Sequence, residues 1–248
     1  MTRRLRRLLL GMAGLGFALG AARAADARCS SHFVQVFHDG GSLPRNGRLI
    51  VQGSIMSAKW VAAMQDPELI SGNEHVPLSV VEPYMFKNTG RDFAQMVLVP
   101  QKPLTEGKTY RLAVKNVDTQ DRDAIARTSF RITAGDTQAP TWNNAPKVLA
   151  TNHAVLGCGP STTATIGVDA TDNGQPVTLY RVHFKERGTN TAVDFYVEAE
   201  RGALRVGRGM CGGPAEPVPG KAYEISVTAV DDSGNLTPAP GAPLLAQF

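Results

Sequence analysis

Two stretches of the chain repeat one pattern: Leu104-Thr-Glu-Gly-Lys-Thr-Tyr-Arg-Leu-Ala-Val-Lys-Asn-Val-Asp118 and Val218-Pro-Gly-Lys-Ala-Tyr-Glu-Ile-Ser-Val-Thr-Ala-Val-Asp231. Aligned on Gly-Lys-x-Tyr, Tyr110 matches Tyr223 at an offset of 113 residues. In both, a glycine turn precedes the tyrosine, and apolar and polar residues then alternate with period two, which predicts a half-buried strand. We expect each tyrosine to pack its ring in the core and to bond its hydroxyl to nearby backbone.

The offset is about the length of one immunoglobulin-sized sandwich. We therefore predict an all-β chain of two tandem immunoglobulin-like β-sandwich domains, residues 29–135 and 136–248, after a cleaved signal peptide at residues 1–24. A less regular stretch, about 54–82, is expected to hold one or two helical turns near 56–64. Further short strands are predicted at 33–37, 47–53, 94–99, 129–133, 162–170, 177–186, 193–198, 203–206 and 222–230.

Short turn and strand motifs carry a family resemblance. Asp136-Thr-Gln-Ala-Pro-Thr141, followed about 90 residues later by Val230-Asp-Asp-Ser-Gly-Asn235, resembles bacterial Ig-like (fibronectin III-like) domains of secreted or surface proteins. The earlier part, with Gly41-Ser-Leu-Pro44 and Leu104–Tyr110, is similar to the modules that often precede them. The resemblance covers most of residues 33–248. It implies a spacer, an adhesion unit or an accessory module, and it names no ligand.

The first residues predict export. Arg-Arg-Leu-Arg-Arg at 3–7 is followed by an uncharged run from Leu8 to Ala22 and by Ala22-Arg23-Ala24, the order of a secretory signal peptide. The expected location is periplasmic or secreted, in a bacterium. Cleavage after Ala24 removes five arginines, so the formal net charge falls from +4 to −1 and gives no support to nucleic-acid binding. No later stretch is apolar and long enough to predict a membrane span.

Three cysteines follow the signal: Cys29, Cys158 and Cys211. An oxidising compartment permits disulfides. We predict that Cys158 pairs with Cys211, a bridge worth roughly 3–4 kcal/mol if unstrained. Cys29 is then left free, links chains, or is the true partner of one of the other two.

Candidate ligand-binding residues are few. Trp60, in the less regular stretch, is the candidate for stacking on a sugar. Metal binding at His32, His38 and Asp39 competes with an ordinary strand-end role, since no third ligand shows a recognisable spacing. Two acidic turns could offer oxygen ligands to calcium or could simply be tight turns: Asp169, Asp172, Asn173 and Asp231, Asp232, Asn235. We predict no metal and no cofactor.

The sequence contains no Gly-x-Ser-x-Gly and no His-Glu-x-x-His motif. It therefore favours an exported, non-catalytic binding or scaffolding protein of the cell envelope or extracellular space, with no catalytic residue. The expected partner is an unidentified protein or polysaccharide of the envelope, and the chain is expected to be a monomer. Two alternatives stay open: a carbohydrate-binding accessory module, and a secreted enzyme with an unrecognised site.

Overall fold

The computed structural model describes residues 32–37, 41–86, 92–157 and 159–248. The predicted signal peptide, Cys29, His38, Asp39 and Cys158 lie outside these residues, as do the side chains of His32 and Phe86. Within the described ranges, none of the helices has the length and apolar character needed to cross a membrane.

The described residues of the N-terminal half, 32–37, 41–86 and 92–133, form eight strands and two short helices. The strands are β1 (His32–Val36), β2 (Ser42–Pro44), β3 (Leu49–Ile55), β4 (Gln65–Ser71), β5 (Glu74–Phe86), β6 (Phe93–Pro100), β7 (Thr109–Lys115) and β8 (Ser129–Thr133). The helices are α1 (Met56–Ala62) and α2 (Arg122–Arg127).

These strands hydrogen-bond in the order β1-β3-β6-β5-β4-β7-β8-β2. The long β5 joins two parts of this path, because its residues 74–77 pair with β4 and its residues 78–86 pair with β6. The path encloses one apolar core to which each of these eight strands contributes. Its fully buried side chains include Tyr110, Phe130, Leu43, Leu69 and Leu98.

Helix α1 lies close against β3. A Cβ atom on Gly53 would come within 2.6 Å of the Ser57 carbonyl oxygen, so glycine is required for this approach. The helix carries Ala58, Trp60 and Val61 into the core. The predicted helical turns near 56–64 are confirmed, whereas β4 and most of β5 were not expected in the stretch 54–82.

In the C-terminal half, residues 141–247 apart from position 158, the structure describes nine strands. They are β9 (Thr141–Leu156), β10 (Gly159–Asp172), β11 (Gln175–Pro176), β12 (Leu179–Glu186), β13 (Ala192–Glu198), β14 (Ala203–Arg208), β15 (Ala222–Val230), β16 (Leu236–Pro238) and β17 (Leu244–Gln247). Those overlapping the predicted segments are confirmed, and β9, β11, β16 and β17 were missed.

Two sheets form this half: β9, β10, β11 and β14 in one, and β12, β13, β15, β16 and β17 in the other. Their inward-facing side chains meet in a second core, in which β10 contributes Ile166 and β15 contributes Ile225 and Val227. Each of these strands alternates buried and less buried residues, as a strand with one covered face does. The described chain is therefore predominantly β, as the sequence predicts.

The repeated segment has the same local structure in both halves. Tyr110 and Tyr223 are buried, and their hydroxyls accept from the backbone N–H five residues upstream, Thr105 at 3.2 Å and Val218 at 2.9 Å. The preceding glycines, Gly107 and Gly220, adopt φ of 79° and 82°, where a side chain would be strained. The predicted role of the two tyrosines is confirmed.

Candidate binding cleft between the two halves

A row of three glutamines crosses the outer face of the N-terminal half. Strand register places Gln35 opposite Gln52 and Gln52 opposite Gln95, so their side chains share one face of β1, β3 and β6. The row two residues away on one side contains Phe33, Ser54 and Phe93 in the same register. On this face of the sheet, the row of glutamine side chains therefore lies beside a row that contains two phenylalanines.

Strand β13 of the C-terminal half lies on this row. The Gln95 side chain donates through Nε2 to the Tyr196 carbonyl at 2.7 Å and accepts through Oε1 from the Tyr196 N–H at 2.8 Å. Gln35 donates to the Glu198 carboxylate at 2.6 Å. Gln95 is 1% exposed, so the hydrogen bonds of its side-chain amide lie in a buried, low-dielectric contact where they are stronger than at the surface.

An apolar cluster lies on the other side of the glutamine row. It joins three residues of each half: Phe37, Ile50, Val97, Leu179, Tyr196 and Val230. All six are less than a tenth exposed. Because Ile50 and Val97 point away from their own core, their burial depends on the contact with the other half.

Two tyrosine hydroxyls add hydrogen bonds across the junction. Tyr196 donates to Glu82 Oε2 at 2.9 Å, and Tyr84 donates to the Pro214 carbonyl. Burial, reinforced by Asp194, raises the pKa of Tyr84 well above its usual range, and burial with the Glu82 carboxylate does the same to the pKa of Tyr196. Both phenols therefore stay protonated, as donors, throughout the neutral range.

A cleft of about 660 Å³ opens beside the glutamine row. The N-terminal half supplies its aromatic floor and polar edge, including Phe33, Gln52, Ser54 and Phe93, and the C-terminal half supplies Val197–Glu200, Arg205 and Cys211–Pro214. Its volume is in the range that is typical of small-molecule binding sites. Phe33 is 47% exposed, so part of its ring is available to a ligand.

The charged groups of the cleft are Glu198, Glu200 and Arg205. This balance is slightly acidic, which disfavours phosphates and other anions. Amide and hydroxyl groups of Gln52 and Ser54 can donate or accept hydrogen bonds beside the aromatic floor. The arrangement suits a neutral or weakly basic ligand with one apolar face.

Trp60, the residue predicted to stack on sugar, has a different role. It is 8% exposed in the N-terminal core, and its Nε1 donates to Asp121 Oδ2 at 2.5 Å. Ser57 donates to the same oxygen at 2.6 Å. The sugar-stacking prediction for Trp60 is thus corrected: its ring is core, and its polar atom is used inside the protein. The aromatic residue exposed in a cleft is Phe33.

The two acidic turns meet at one place. Carboxylate oxygens of Asp136, Asp172 and Asp231 lie within 4.8 Å of one another, an arrangement whose chemistry suits a divalent cation. Asp231 also accepts from the N–H groups of Ser233 and Asn235, at 2.9 and 2.7 Å, as a tight turn requires. Burial first, and then the neighbouring aspartates, raise the pKa of Asp172.

Asp169, grouped with this turn in the sequence, is separate from it. Asn143 and Asn144 donate to its two carboxylate oxygens at 2.9 and 2.5 Å, and these bonds lower its pKa. Its oxygens are used in joining β9 to β10.

Cys211 lies in a tight turn between Gly209 and Gly212, which exchange backbone hydrogen bonds at 2.9 and 3.2 Å. The β10–β14 ladder ends nearby at Thr162 and Arg208. Cys211 follows Arg208 by three residues in the sequence. The Cys158–Cys211 pairing stays a prediction, because Cys158 is outside the described residues.

No family model and no curated protein sequence matches this chain. Among solved structures, a domain segment of titin is 12% identical, with a TM-score of 0.29, over 87% of this chain and 66% of that one. The FN domains of chicken CNTN1 are 13% identical, with a TM-score of 0.30, over 84% and 63%.

Type I pullulanase from Bacillus subtilis, complexed with maltose, is 13% identical with a TM-score of 0.26, over 80% of this chain and 24% of the enzyme. This chain thus spans about a quarter of the pullulanase and slightly less than two thirds of each of the other two. TM-scores this low support no conclusion about fold or function. The description of the fold and of the cleft rests on the geometry given above.

Proposed function

We propose that this chain is an exported, non-catalytic binding protein of the cell envelope or extracellular space, made of two immunoglobulin-like β-sandwich domains after a cleaved signal peptide. Its ligand site is the cleft between the halves. The observation that carries the proposal is that both halves build the 660 Å³ cleft, with the half-exposed Phe33 on its floor. The buried junction beside the cleft supports a site whose shape is set before the ligand arrives.

The chemistry of the cleft favours a segment of a neutral or weakly basic protein, held by its apolar side chains on Phe33. A second candidate is a polysaccharide. The specific observation in its favour is the combination of one exposed aromatic ring with Gln52, Ser54 and Glu198, because a sugar presents an apolar face and hydroxyl groups together.

The test is a pull-down with the mature protein, residues 25–248, from envelope and secreted fractions, with eluates analysed for protein and for polysaccharide. Phe33→Ala removes the exposed ring, and Ser54→Trp fills the floor between Phe33 and Phe93. Leu245→Ala is the matched control, since Leu245 is 55% exposed on β17, away from the cleft.

We expect one enriched partner that Leu245→Ala retains and both cleft variants lose. The chemical nature of the partner then decides between the two ligand classes. Retention by both cleft variants would show that the partner binds another surface, and an empty eluate from folded protein would argue against stable binding altogether.

A further inference from the structure

The long strand β9 has one free edge. It pairs with β10, and the described residues place no strand on its other side. Its first part carries the features that natural sheets use to protect an edge: Pro146, Lys147 and register irregularities against β10. From Ala150 to Leu156 the register with β10 is unbroken.

We call residues 150–156, Ala-Thr-Asn-His-Ala-Val-Leu, the β9 edge segment. It contains no Lys, Arg, Asp or Glu and no proline. Val155 is 80% exposed and Leu156 is 46% exposed. An exposed apolar strand edge without charge, bulge or proline is a template for another strand.

The backbone direction of this segment follows from its partner strand. Pro160 lies opposite Val155 and has no N–H, so this pair does not exchange two hydrogen bonds. Val168, further along β10 with the same parity as Pro160, donates to Gly202 on the opposite side from β9. By alternation, Thr151, His153 and Val155 direct their N–H and C=O groups to the free edge.

We infer that the β9 edge segment pairs antiparallel with the same segment of a second copy of this chain, about a two-fold axis at His153. This register places Ala150 opposite Leu156, Thr151 opposite Val155 and Asn152 opposite Ala154. No Lys, Arg, Asp or Glu side chain takes part in this pairing, His153 lies opposite its own copy, and the outward backbone groups are paired. An isologous interface needs this self-complementarity, which is why a second copy is the occupant.

The inference is independent of the proposed function, because β9 takes no part in the cleft. An edge of seven residues is small beside a standard interface, so association is weak and the monomer expected from the sequence is the form at low concentration. The joined sheets would continue from β10 of one copy to β10 of the other.

Cross-linking tests the register. Directly opposed antiparallel residues have Cα atoms about 4.5–5.5 Å apart, which a disulfide can bridge. In a Cys29→Ser background, at high protein concentration under oxidation, His153→Cys should give a reducible dimer. Lys147→Cys, on the same strand but far from its symmetry mate, and the Cys29→Ser chain itself should not. Equal cross-linking of the two variants, or none of either, would overturn the register.

Sedimentation velocity over a concentration series tests association itself. The unmodified chain should shift toward dimer, and Thr151→Pro, which removes one outward N–H, should remain monomeric with an unchanged thermal melt. An unmodified chain that stays monomeric at every concentration overturns the inference, as does a dimer that Thr151→Pro leaves intact.

Discussion

Gln95 and Tyr196, which are 101 residues apart in sequence, are joined as two paired strands are: one side-chain amide satisfies both the N–H and the C=O of one backbone residue. The two outward groups of Tyr196 are thereby used by the other half of the molecule. This pair and the apolar cluster beside it form a specific contact between the two halves. That contact sets the position of the C-terminal wall of the cleft relative to its N-terminal floor.

Gln95→Ala should destabilise the protein by about 1–3 kcal/mol, because it leaves two buried backbone groups of Tyr196 without partners. Urea unfolding measures the loss, and faster hydrogen exchange of the Tyr196 amide locates it. The matched control is Gln101→Ala, whose exposed amide only reaches Ser79 at 3.2 Å and should change stability by less than about 0.5 kcal/mol. Equal stability of the two variants would contradict the role of Gln95.

Tyr110→Phe and Tyr223→Phe should each cost roughly 1–2 kcal/mol, because each loses the bond from the backbone N–H five residues upstream, and Tyr110→Phe also loses the bond from its hydroxyl to Glu74. The effect should be local: exchange at the Thr105 amide rises in the first variant and exchange at the Val218 amide rises in the second. Each variant is the other's control. Unchanged melting would show that the hydroxyl bonds contribute nothing measurable.

Glu74→Gln should destabilise the chain at neutral pH. The hydrogen bond from Lys108, at 2.9 Å, is the main cause that lowers the Glu74 pKa from 4.5 to about 2. A depressed pKa stabilises the folded state above pH 4.5, and this contribution is lost as the pH falls from 4.5 toward 2. The difference in melting temperature between wild type and variant should shrink over that range. Glu106→Gln, an exposed change in the loop that carries Lys108, is the control, and a constant difference would refute the linkage.

Asp172→Asn should stabilise the chain by about 0.5 kcal/mol at neutral pH, measured in a chelating buffer. Its pKa is raised above 3.8 by burial and by Asp136 and Asp231, so the ionised form opposes folding. The wild type regains stability as the pH falls through the raised pKa toward 3.8, and the advantage of the variant should then disappear.

Asp169→Asn on the same strand is the control for this change. Because Asn143 and Asn144 stabilise the ionised form of Asp169, its replacement should give no gain at neutral pH. A gain from Asp169→Asn equal to that from Asp172→Asn would mean that general charge reduction, and no local repulsion, is responsible.

Thiol counting on the unfolded, unreduced mature protein should find one reactive cysteine. Two of the three are consumed if Cys158 and Cys211 are bridged, and Cys29 remains. Peptide mapping identifies the pair. Three reactive thiols would show that no bridge forms, and a bridge from Cys29 would show that the pairing is different.

The repeated segment predicted much of the fold because its signals are local. A glycine in the left-handed region, a tyrosine and a period-two pattern each act within about ten residues, and both copies fold as expected. The β4–β5 hairpin was missed because β5 bends between two partners and is interrupted by Pro77 and Pro83, so its alternation is irregular. Strand β9 was missed because it is mostly exposed and has little apolar alternation.

The cleft could not be predicted from local pattern, since it is formed by residues more than 100 positions apart. One signal was present: Ile50 and Val97 are apolar at positions that face away from the N-terminal core, so the continuous runs Leu49–Val51 and Met96–Leu98 indicate strands covered on both faces. Trp60 was chosen because it lay in an irregular segment. Its indole can be buried because Asp121, 61 residues later in the sequence, accepts the hydrogen bond that the indole N–H donates.

A second side-chain amide hydrogen-bonds both backbone groups of one residue, as Gln95 does. Asn46 donates to the Asp136 carbonyl at 2.7 Å and accepts from the Asp136 N–H at 3.0 Å, on the segment that connects the halves. With one such contact the two halves could still rotate about it. Two contacts at separate points resist both rotation and separation of the halves. We therefore expect the width of the cleft to stay nearly constant. Such a cleft should select ligands by their thickness and should exclude thicker ones, which a hinged site could open to bind.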